Sequence, residues 1–239
     1  MKPVLLSFLA LTVLNQFSQA QGQAPNFNPN SQSPVIFLTD IQGRRATEEW
    51  NRTEIKGTPF FNKDWSAALV TLKDNRTFKN VSVRLNCVNN TLHYLTSNKE
   101  EMIAPDGVIK EVLLIDSSGA AVKEHQFVSG YPAIGKHTAY TFYERQLNGK
   151  AQLLVFTKKR MLENRPLGSP APEKEYLGVE SYFVFKDGVM HEWEKGKDFL
   201  LNLLADKREA VEQYIKAQGL KCRSEEDLKK VLSFYNTNS

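Results

Sequence analysis

The sequence predicts an α+β fold: an antiparallel β-meander, forming a curled sheet or half-barrel, with two to three helices docked at its C-terminal end. Apolar residues alternate through the middle of the chain, which is the period of half-buried strands. Asn148-Gly149 and Asp187-Gly188 are strong hairpin sequences between such runs. After residue 197 the apolar residues recur with helical spacing instead.

Residues 1–20 have the pattern of a cleavable signal peptide. Lys2 supplies a positive charge, residues 4–14 are almost wholly apolar, and Ser18-Gln19-Ala20 places small residues where a signal peptidase cleaves. A membrane-spanning helix needs about 20 apolar residues, so this run is too short to be one, and no later stretch reaches that length. We therefore expect a periplasmic or secreted protein with no transmembrane segment after signal cleavage.

The rest of the chain divides into a leader and one domain. Residues 21–34 are rich in Gln, Asn, Ser and Pro and low in aliphatic residues, which predicts a disordered leader. Residues 35–239 predict a single α+β domain, β-rich over about 35–195 and helical over 197–238. A short strand is expected at 35–38 and a short helix near 47–50.

The β-rich part predicts about eight antiparallel strands. A strand over 68–72 precedes a turn at Asp74-Asn75, and the apolar parity then changes at Lys79-Asn80, which indicates a β-bulge. A turn at Asn89-Asn90 leads to the next strand, and a longer strand covers 108–115. Several runs are apolar on both faces, so the sheet must be covered on both sides or curl on itself.

Two hairpins follow. Asn148-Gly149 joins strands over 140–147 and 151–158, and the second hairpin covers 182–193. The stretch 165–173 between them holds three prolines and predicts a loop.

Three helices are expected after these strands. The first apolar stripe consists of Phe199, Leu200, Leu203 and Leu204. Asp206 is expected to cap the second helix, which Gly219 ends, and Ser224 with Asp227 is expected to cap the third. Helices this short hold only when their apolar side chains are buried, so they must dock on one another and on the sheet.

The two cysteines, Cys87 and Cys222, leave two alternatives open. An oxidising compartment permits a disulfide between them, which would close a very long loop. The alternative is two separate buried thiols, since Cys87 lies in a predicted strand.

The charges argue against nucleic-acid binding. The formal net charge is +4, and acidic and basic residues alternate along the chain without a concentrated basic face. No cofactor motif is present. Gly130 to His137 nearly matches a phosphate-binding loop, but His137 replaces the hydroxyl residue and a strand follows where that loop needs a helix. A wide hairpin loop is the favoured interpretation.

The sequence contains no established catalytic motif and one candidate for a metal site. No nucleophile-elbow sequence occurs, and Ser181 opens a predicted strand, so no catalytic residue is predicted. None of the histidines has helical zinc-site spacing. His125 and His137 flank the same loop and are the two candidates for a metal pair facing each other across it.

Aromatic residues crowd the later strands. Those proposed to line a ligand site are Tyr140, Phe142, Tyr143, Phe156 and Tyr182. Cross-strand core pairs are the favoured explanation of this crowding. An aromatic groove or barrel mouth for an apolar ligand is the alternative.

Several short sequences occur in a recognisable order. They are Gly57-Thr58-Pro59-Phe60-Phe61 with Trp65, Leu72-Lys73-Asp74, Leu85-Asn86, Leu92-His93-Tyr94, Tyr182-Phe183-Val184, Asp187-Gly188, 212–216 and 225–235. Together they resemble a group of uncharacterised secreted or periplasmic proteins of Bacteroidota-type bacteria. The resemblance implies a compartment and a general fold, and no activity or site residues. A eukaryotic secretory origin would instead make Asn51, Asn75, Asn80 and Asn89 glycosylation sites.

These observations leave three hypotheses. The first is an exported soluble protein of the envelope or medium that binds a partner protein or surface component without catalysis, and it predicts an exposed apolar or aromatic patch on an otherwise filled fold. The second is a carrier of a lipid-like or other small apolar ligand in a curled sheet, which predicts a deep apolar cavity. The third is a hydrolase with a site assembled across strands, which predicts converging carboxylates or histidines.

Overall fold

The strands form one curled sheet. The computed structural model describes residues 43–46, 55–116, 119, 121–165 and 172–237. Its strands are β1 (Arg44–Arg45), β2 (Ile55–Lys56), β3 (Ser66–Leu72), β4 (Thr77–Asn86), β5 (Thr91–Leu95), β6 (Glu101–Ile103), β7 (Ile109–Asp116), β8 (Lys123–Val128), β9 (Tyr143–Leu147), β10 (Ala151–Asn164), β11 (Glu173–Lys186) and β12 (Val189–Glu192). Their spatial order is β1-β6-β5-β4-β3-β7-β8-β9-β10-β11-β12, and β2 pairs with β11.

The predicted α+β class with a C-terminal helical part is confirmed, but the sheet has more strands than expected. Among the described residues it contains twelve, and the pairing of β2 with β11 is parallel. The strand β8 was missed because its sequence, Lys-Glu-His-Gln-Phe-Val, lacks apolar alternation. The strands β1, β2 and β6 have only two or three residues each, too few to show a period.

Other predictions fall outside the described residues. They are the signal peptide at 1–20, the leader at 21–34, the short strand at 35–38 and the short helix at 47–50. All described residues belong to one compact unit, Gln32–Ser239. Within the part of the chain that the structure describes, no helix is both long and apolar enough to cross a membrane.

The predicted turns and bulge are confirmed. The register of β3 against β4 shifts between Ala68 and Val70, and opposite this shift Asn80 adopts a φ of 56°. Asparagine tolerates the left-handed conformation better than most residues, which explains the sequence at this bulge. Asn75 and Asn90 take the same conformation in the turns after β3 and β4.

The first half of the sheet encloses a filled core. One buried cluster draws its side chains from β3, β4, β5, β7 and β8, together with Phe142. The curl brings the end of β4 to the middle of β10, where the Lys159 backbone N–H donates to the Cys87 carbonyl at 3.0 Å. Two lysine ammonium groups support this junction: Lys158 donates to the Val88 carbonyl and Lys159 to the Phe60 carbonyl.

The long hairpin of β10 and β11 is apolar on both faces near its base. Leu153 and Val184 point to the face that α1 (Lys197–Leu203), α2 (Arg208–Ala217) and α3 (Glu225–Thr237) cover. Leu154 and Phe183, one position along each strand, belong to a separate cluster on the opposite face. At the base of this hairpin the sheet is thus covered on both sides, which was one of the two expected alternatives.

Asn236 in α3 fixes the helical layer to the sheet. Its side chain accepts a hydrogen bond from the Ala151 N–H at 2.9 Å and donates to the Ala151 carbonyl at 2.8 Å. Gly149 lies against this amide, and a Cβ there would come within 2.5 Å of the Asn236 Cγ. The glycine of the predicted hairpin is therefore required for helix docking as well as for the turn.

Two of the three predicted helix ends are confirmed, and the Asp206 cap is wrong. Ser224 Oγ accepts from the Asp227 N–H at 3.2 Å, and Gly219 with a φ of 63° follows the end of α2. Lys207, not Asp206, occupies the N-cap of α2, without a side-chain cap bond. Asp206 lies in a 3₁₀ turn, and its carboxylate accepts from the buried Tyr235 hydroxyl at 2.7 Å.

The two thiols are free and buried. Cys222 lies in the cluster beneath the helices, whereas Cys87 lies at the junction of β4 with β10. The structure thus has the separate buried thiols and not the disulfide. Burial raises the pKa of the Cys87 thiol to about 11, although the Lys159 and Lys158 charges oppose this.

A charged cluster anchors the segment that precedes β3. The Arg84 guanidinium carbon lies 3.9 Å from the centroid of the Phe60 ring and 4.1 Å from that of Trp65. Its Nη2 donates to both carboxylate oxygens of Glu101 at 2.9 Å, and Glu101 Oε1 lies 2.6 Å from His93 Nδ1. A planar guanidinium can stack between two rings and bond a carboxylate at once, which an ammonium cannot do.

We expect Arg84→Lys to lower the free energy of unfolding by about 1–3 kcal/mol, because lysine loses both ring faces and the two-oxygen contact. Urea unfolding followed by tryptophan fluorescence measures this. Arg76→Lys is the matched control, since Arg76 pairs with Asp74 at the exposed surface, and equal effects of the two substitutions would contradict the prediction.

Asp206→Asn is expected to lower the free energy of unfolding by about 1–2 kcal/mol at neutral pH. Burial disfavours the charge of Asp206, but hydrogen bonds from Tyr235 and Lys150 and the nearby charge of Lys186 lower its pKa to about 2. The contribution of this carboxylate is therefore complete above its ordinary pKa of 3.8 and is lost as pH falls toward 2.

Urea unfolding at pH 7 and pH 3 tests the role of Asp206, with the exposed Asp64→Asn as control. The difference between wild type and Asp206→Asn should be larger at pH 7 than at pH 3. A difference that does not change with pH would show that the charge of Asp206 is not what stabilises the fold.

Candidate binding groove and ribbon

A long loop between β8 and β9 forms one wall of the candidate site. Its start is held by the Gly130 N–H, which donates to the Ala139 carbonyl at 2.9 Å. Its end is held by Asn90, whose side chain bonds both the N–H of Phe142 at 2.7 Å and its carbonyl at 3.1 Å. The first bond closes the loop on itself and the second ties its end to the turn between β4 and β5. We name residues 130–142 the groove loop.

The tip of the groove loop is a tight turn. Ile134 and His137 exchange backbone hydrogen bonds of 3.1 and 2.9 Å, and Gly135 between them has a φ of 55°. The strand β9, and not a helix, follows the loop. The N–H groups of a helix start that would hold phosphate are absent from this loop, so the wide hairpin loop is confirmed.

An aromatic cluster lies beneath the loop. The ring centroid of His137 lies 4.4 Å from that of Phe156, 5.1 Å from that of Phe183 and 5.7 Å from that of Tyr143. Tyr131, near the start of the loop, packs in the same cluster, and its hydroxyl donates to Gln152 Oε1 at 2.7 Å. The loop is thus fastened from below by its own ring side chains.

Two adjoining cavities lie along the groove loop, and we call them together the groove. The first measures about 270 Å³ and the second about 280 Å³. They share Lys136, His137, Phe156 and Lys158. The first is also lined by Asn89, Asn90, Asp106, Thr138, Tyr140 and Thr141, and the second by Ile134, Gly135, Arg160, Val179, Ser181 and Glu192.

His137 is 9% exposed, and its imidazole is held neutral by its surroundings. Burial is the main cause that lowers its pKa below the ordinary value of 6.5, and the charge of Lys136 adds to it. Glu192 opposes this change and Lys158 reinforces it. At neutral pH His137 therefore adds no positive charge to that of Lys136, Lys158 and Arg160, the three basic residues that line the groove.

Tyr143 places a polar atom inside the same cluster. Its hydroxyl is buried and has no hydrogen-bond partner among the described residues. Burial, and then the Glu192 carboxylate, raise the pKa of Tyr143. Tyr143 therefore stays a neutral phenol.

The structure does not gather the five predicted aromatic residues into one site. Phe156 lines both cavities and Tyr140, half exposed, lines the first. Tyr143 lies in the aromatic cluster below, and Phe142 belongs to the core of the first half of the sheet. Tyr182 points to the opposite face of β11, where it packs on Trp193 with centroids 5.7 Å apart.

His125 and His137 do not face each other. His137 packs against Tyr143, whereas His125 Nδ1 lies 2.7 Å from the carboxylate of Glu144, the next residue of β9. Successive residues of a strand point to opposite faces, so the sheet separates the two histidines. Among the described residues no group of three His, Cys, Asp or Glu side chains is arranged to hold a metal ion.

Ser181, His137 and Glu192 line the same cavity although they are distant in sequence. A serine nucleophile needs a hydrogen bond to its base, and the base needs one to its orienting carboxylate. In the described part of the chain no hydrogen bond or ion pair joins these three side chains. The groove therefore has the residue types of a hydrolase without the contacts that would activate the serine.

The outer half of the β10–β11 hairpin extends this surface, and we call it the ribbon. Lys158 pairs with Val179, Arg160 with Leu177 and Leu162 with Glu175, so these six side chains share one face with Phe156. Leu162, Leu177 and Val179 are 49%, 44% and 53% exposed, and we name these three residues the aliphatic strip. The strip is continuous with the groove because Val179 and Arg160 also line the second cavity.

The outer edge of β11 is open beside the strip. The strand β2 pairs only with Lys174 and Glu175, and β12 pairs only with residues 183–186. Within the described residues, no strand pairs with 177–181 on this side. The open stretch is about the length of a short strand, and we call it the β11 slot.

Comparison with family models, curated proteins and solved structures gives no match for this chain. The resemblance to secreted proteins of Bacteroidota-type bacteria stays a prediction. Function has to be inferred from the groove and the ribbon alone.

Sequence reasoning missed most residues of the groove. Asn89, Asp106 and Glu192 come from three separate turns or strands and carry no local motif. The pairing of β10 with β11 over fourteen residues could have been found by matching the apolar alternation of 151–164 to that of 173–186. That register places Arg160 beside Leu177 and would have revealed the aliphatic strip.

We expect His137→Phe to reduce the loss of stability on acidification. The pKa of His137 is lowered in the folded chain, so the unfolded chain takes up the proton first as pH falls below about 6.5. The resulting loss in the free energy of unfolding is absent above that pH and grows below it. Phenylalanine fits the aromatic cluster and does not titrate, so the variant lacks this loss. Urea unfolding at pH 7.5 and pH 5.0 measures the difference, with His191→Phe as the control, and identical pH slopes for wild type and His137→Phe would refute it.

Proposed function

We propose that the protein acts outside the cytoplasm as a non-catalytic binding protein that takes up a short extended segment of a partner protein in the β11 slot. The partner segment would add a strand to the sheet and place aliphatic side chains over the aliphatic strip. The observation that carries this proposal is the coincidence of an open strand edge with three exposed aliphatic residues on the adjoining face.

Among the described residues, no strand pairs with the backbone N–H and C=O groups of 177–181 on this edge, and an extended peptide would supply partners for both. Leu177 and Val179 are two positions apart on β11, so they lie on one face at the spacing of alternate residues in an added strand. Burying an aliphatic side chain fully gains about 1.5–3 kcal/mol, and roughly half of this area is still exposed on each strip residue. The aliphatic strip would therefore contribute to the binding free energy and would also fix the register of the added strand against β11.

The other two hypotheses have less support. The interior of the curled part of the sheet is filled by its own side chains, including Val70, Leu92 and Phe127, which occupy the space a carrier would leave for an apolar ligand. Ser181, His137 and Glu192 share a cavity without mutual hydrogen bonds among the described residues, which disfavours the hydrolase. Export is supported by the signal pattern of 1–20.

The test uses site-specific photocrosslinking in cells of the source organism. The full chain would carry a benzophenone amino acid at position 177 or, as control, at position 122, since Val122 is 62% exposed outside the ribbon. We expect one partner protein to be crosslinked from position 177 and not from position 122. The same cells, fractionated, show whether the mature chain lies outside the cytoplasm.

The crosslinked partner would then be purified and its affinity measured by calorimetry. We expect Leu177→Glu to weaken binding at least about tenfold, because a charge is buried in the strip, and Val122→Glu to leave it unchanged. Equal affinities for wild type and Leu177→Glu would overturn the proposal. So would crosslinking of position 177 only to a second copy of this chain, which would make the ribbon a self-association surface.

A further inference from the structure

The groove has the composition of a ligand site, and nothing in the proposed strand addition requires it. Ligand sites usually measure about 300–1,000 Å³ and combine apolar walls with a few polar groups. The two cavities of the groove are each slightly smaller than this, and they lie side by side because they share four lining residues. The Phe156 ring belongs to both.

Positive charge gathers where the two cavities adjoin. Lys136 and Lys158 line both cavities, and Arg160 lines the second, where Glu192 is the single opposing carboxylate. Lys158 is held by the Val88 carbonyl. Lys136 and Arg160 are exposed, and within the described residues neither takes part in an ion pair. Two free cations and one anchored cation are suited to bind an anionic group.

The other end is suited to a hydroxylated ring. Tyr140 forms an aromatic wall, and Thr138, Thr141, Asn89 and Asp106 bring hydroxyl, amide and carboxylate groups around it. The two threonine oxygens each accept one backbone N–H, so their own hydrogens remain available as donors. This end therefore offers both donors and acceptors beside a flat ring.

The Tyr140 wall is built into the fold. Gly107 lies against it, and a Cβ at this position would come within 2.8 Å of Tyr140 Cε1. The ammonium group of Lys73 lies over the Tyr140 ring, 5.4 Å from its centroid. Gly107 and Lys73, from two separate turns, thus contact the half-exposed Tyr140 ring at the mouth of the groove. Tyr140 itself belongs to no core cluster.

We propose that the groove binds a sugar acid, a six-membered sugar ring bearing a carboxylate, either free or as one unit of a polysaccharide. The carboxylate lies at the end with Lys136, Lys158 and Arg160. The ring lies in the first cavity against Tyr140, with its hydroxyls bonded by Thr138, Thr141, Asn89 and Asp106. This inference does not rest on the proposed strand addition, although Arg160 and Val179 border both the groove and the ribbon.

Calorimetry on the full mature chain tests the proposal with glucuronic acid, glucose and sodium sulfate as probes. We expect glucuronic acid to bind at least about tenfold more tightly than glucose or sulfate, because only it uses both ends of the groove. Tetragalacturonate distinguishes the source: tighter binding than glucuronic acid indicates a polysaccharide unit, and equal binding indicates a free sugar acid. Glucuronic acid that binds no better than glucose would overturn the proposal.

Substitutions at each end of the groove test which part of the sugar acid that end binds. Lys136→Gln with Arg160→Gln should weaken glucuronic acid at least about tenfold and leave glucose unchanged, whereas Lys63→Gln, at an exposed position outside the groove, should change neither. Tyr140→Ala should weaken glucuronic acid about tenfold without changing the thermal midpoint, and Tyr140→Phe should restore it. If sulfate competes with glucuronic acid equally in wild type and Tyr140→Ala, the groove is a site for anions alone and the sugar assignment fails.

Discussion

The β10–β11 hairpin imposes the constraint on which the rest of the structure depends. Near its base, neighbouring residues of both strands are apolar, so each face must be buried against something else. The three helices cover one face, and the groove loop with its ring side chains covers the other. Past residue 156 these two coverings end, and among the described residues Leu162, Leu177 and Val179 on one face and Met161 on the other are each about half exposed. The ribbon and its aliphatic strip are the consequence of a hairpin longer than its two coverings.

Features that depend on neighbouring residues could be predicted from the sequence. Asn148-Gly149 and Asp187-Gly188 located their hairpins, the change of parity at Lys79-Asn80 located the bulge, and the helical stripes after 197 located the docked layer. Each of these signals acts within a few residues, where backbone conformation and side-chain periodicity are linked directly. Asp206 shows the limit of such signals. Its neighbours in sequence indicate a helix cap, but its carboxylate instead accepts a hydrogen bond from the Tyr235 hydroxyl of α3.

Features assembled across the sheet could not be predicted in the same way. His125 lies in β8 and His137 lies within the groove loop, and a sequence gives no means of deciding that β9 presents Glu144 to one and Tyr143 to the other. The groove joins Asn89, Asp106, Lys136, Lys158 and Glu192, which meet only because β4, β10 and β12 converge on the loop. Register over long distances sets these contacts, and a shift of one residue would replace every side chain on the face.

The clamp between Asn236 and Ala151 also affects how the chain can fold as it is synthesised. The two residues are 85 positions apart, so the start of β10 leaves the ribosome long before the amide that satisfies its backbone. During that interval Leu153 and Val184 have no helix over them, and the hairpin exposes an uncovered apolar face. Loop closure over this distance must precede the gain from burial, so the final packing step is slow compared with formation of the hairpin itself. Until α3 has been made, this face of the hairpin therefore remains exposed and open to association with other chains.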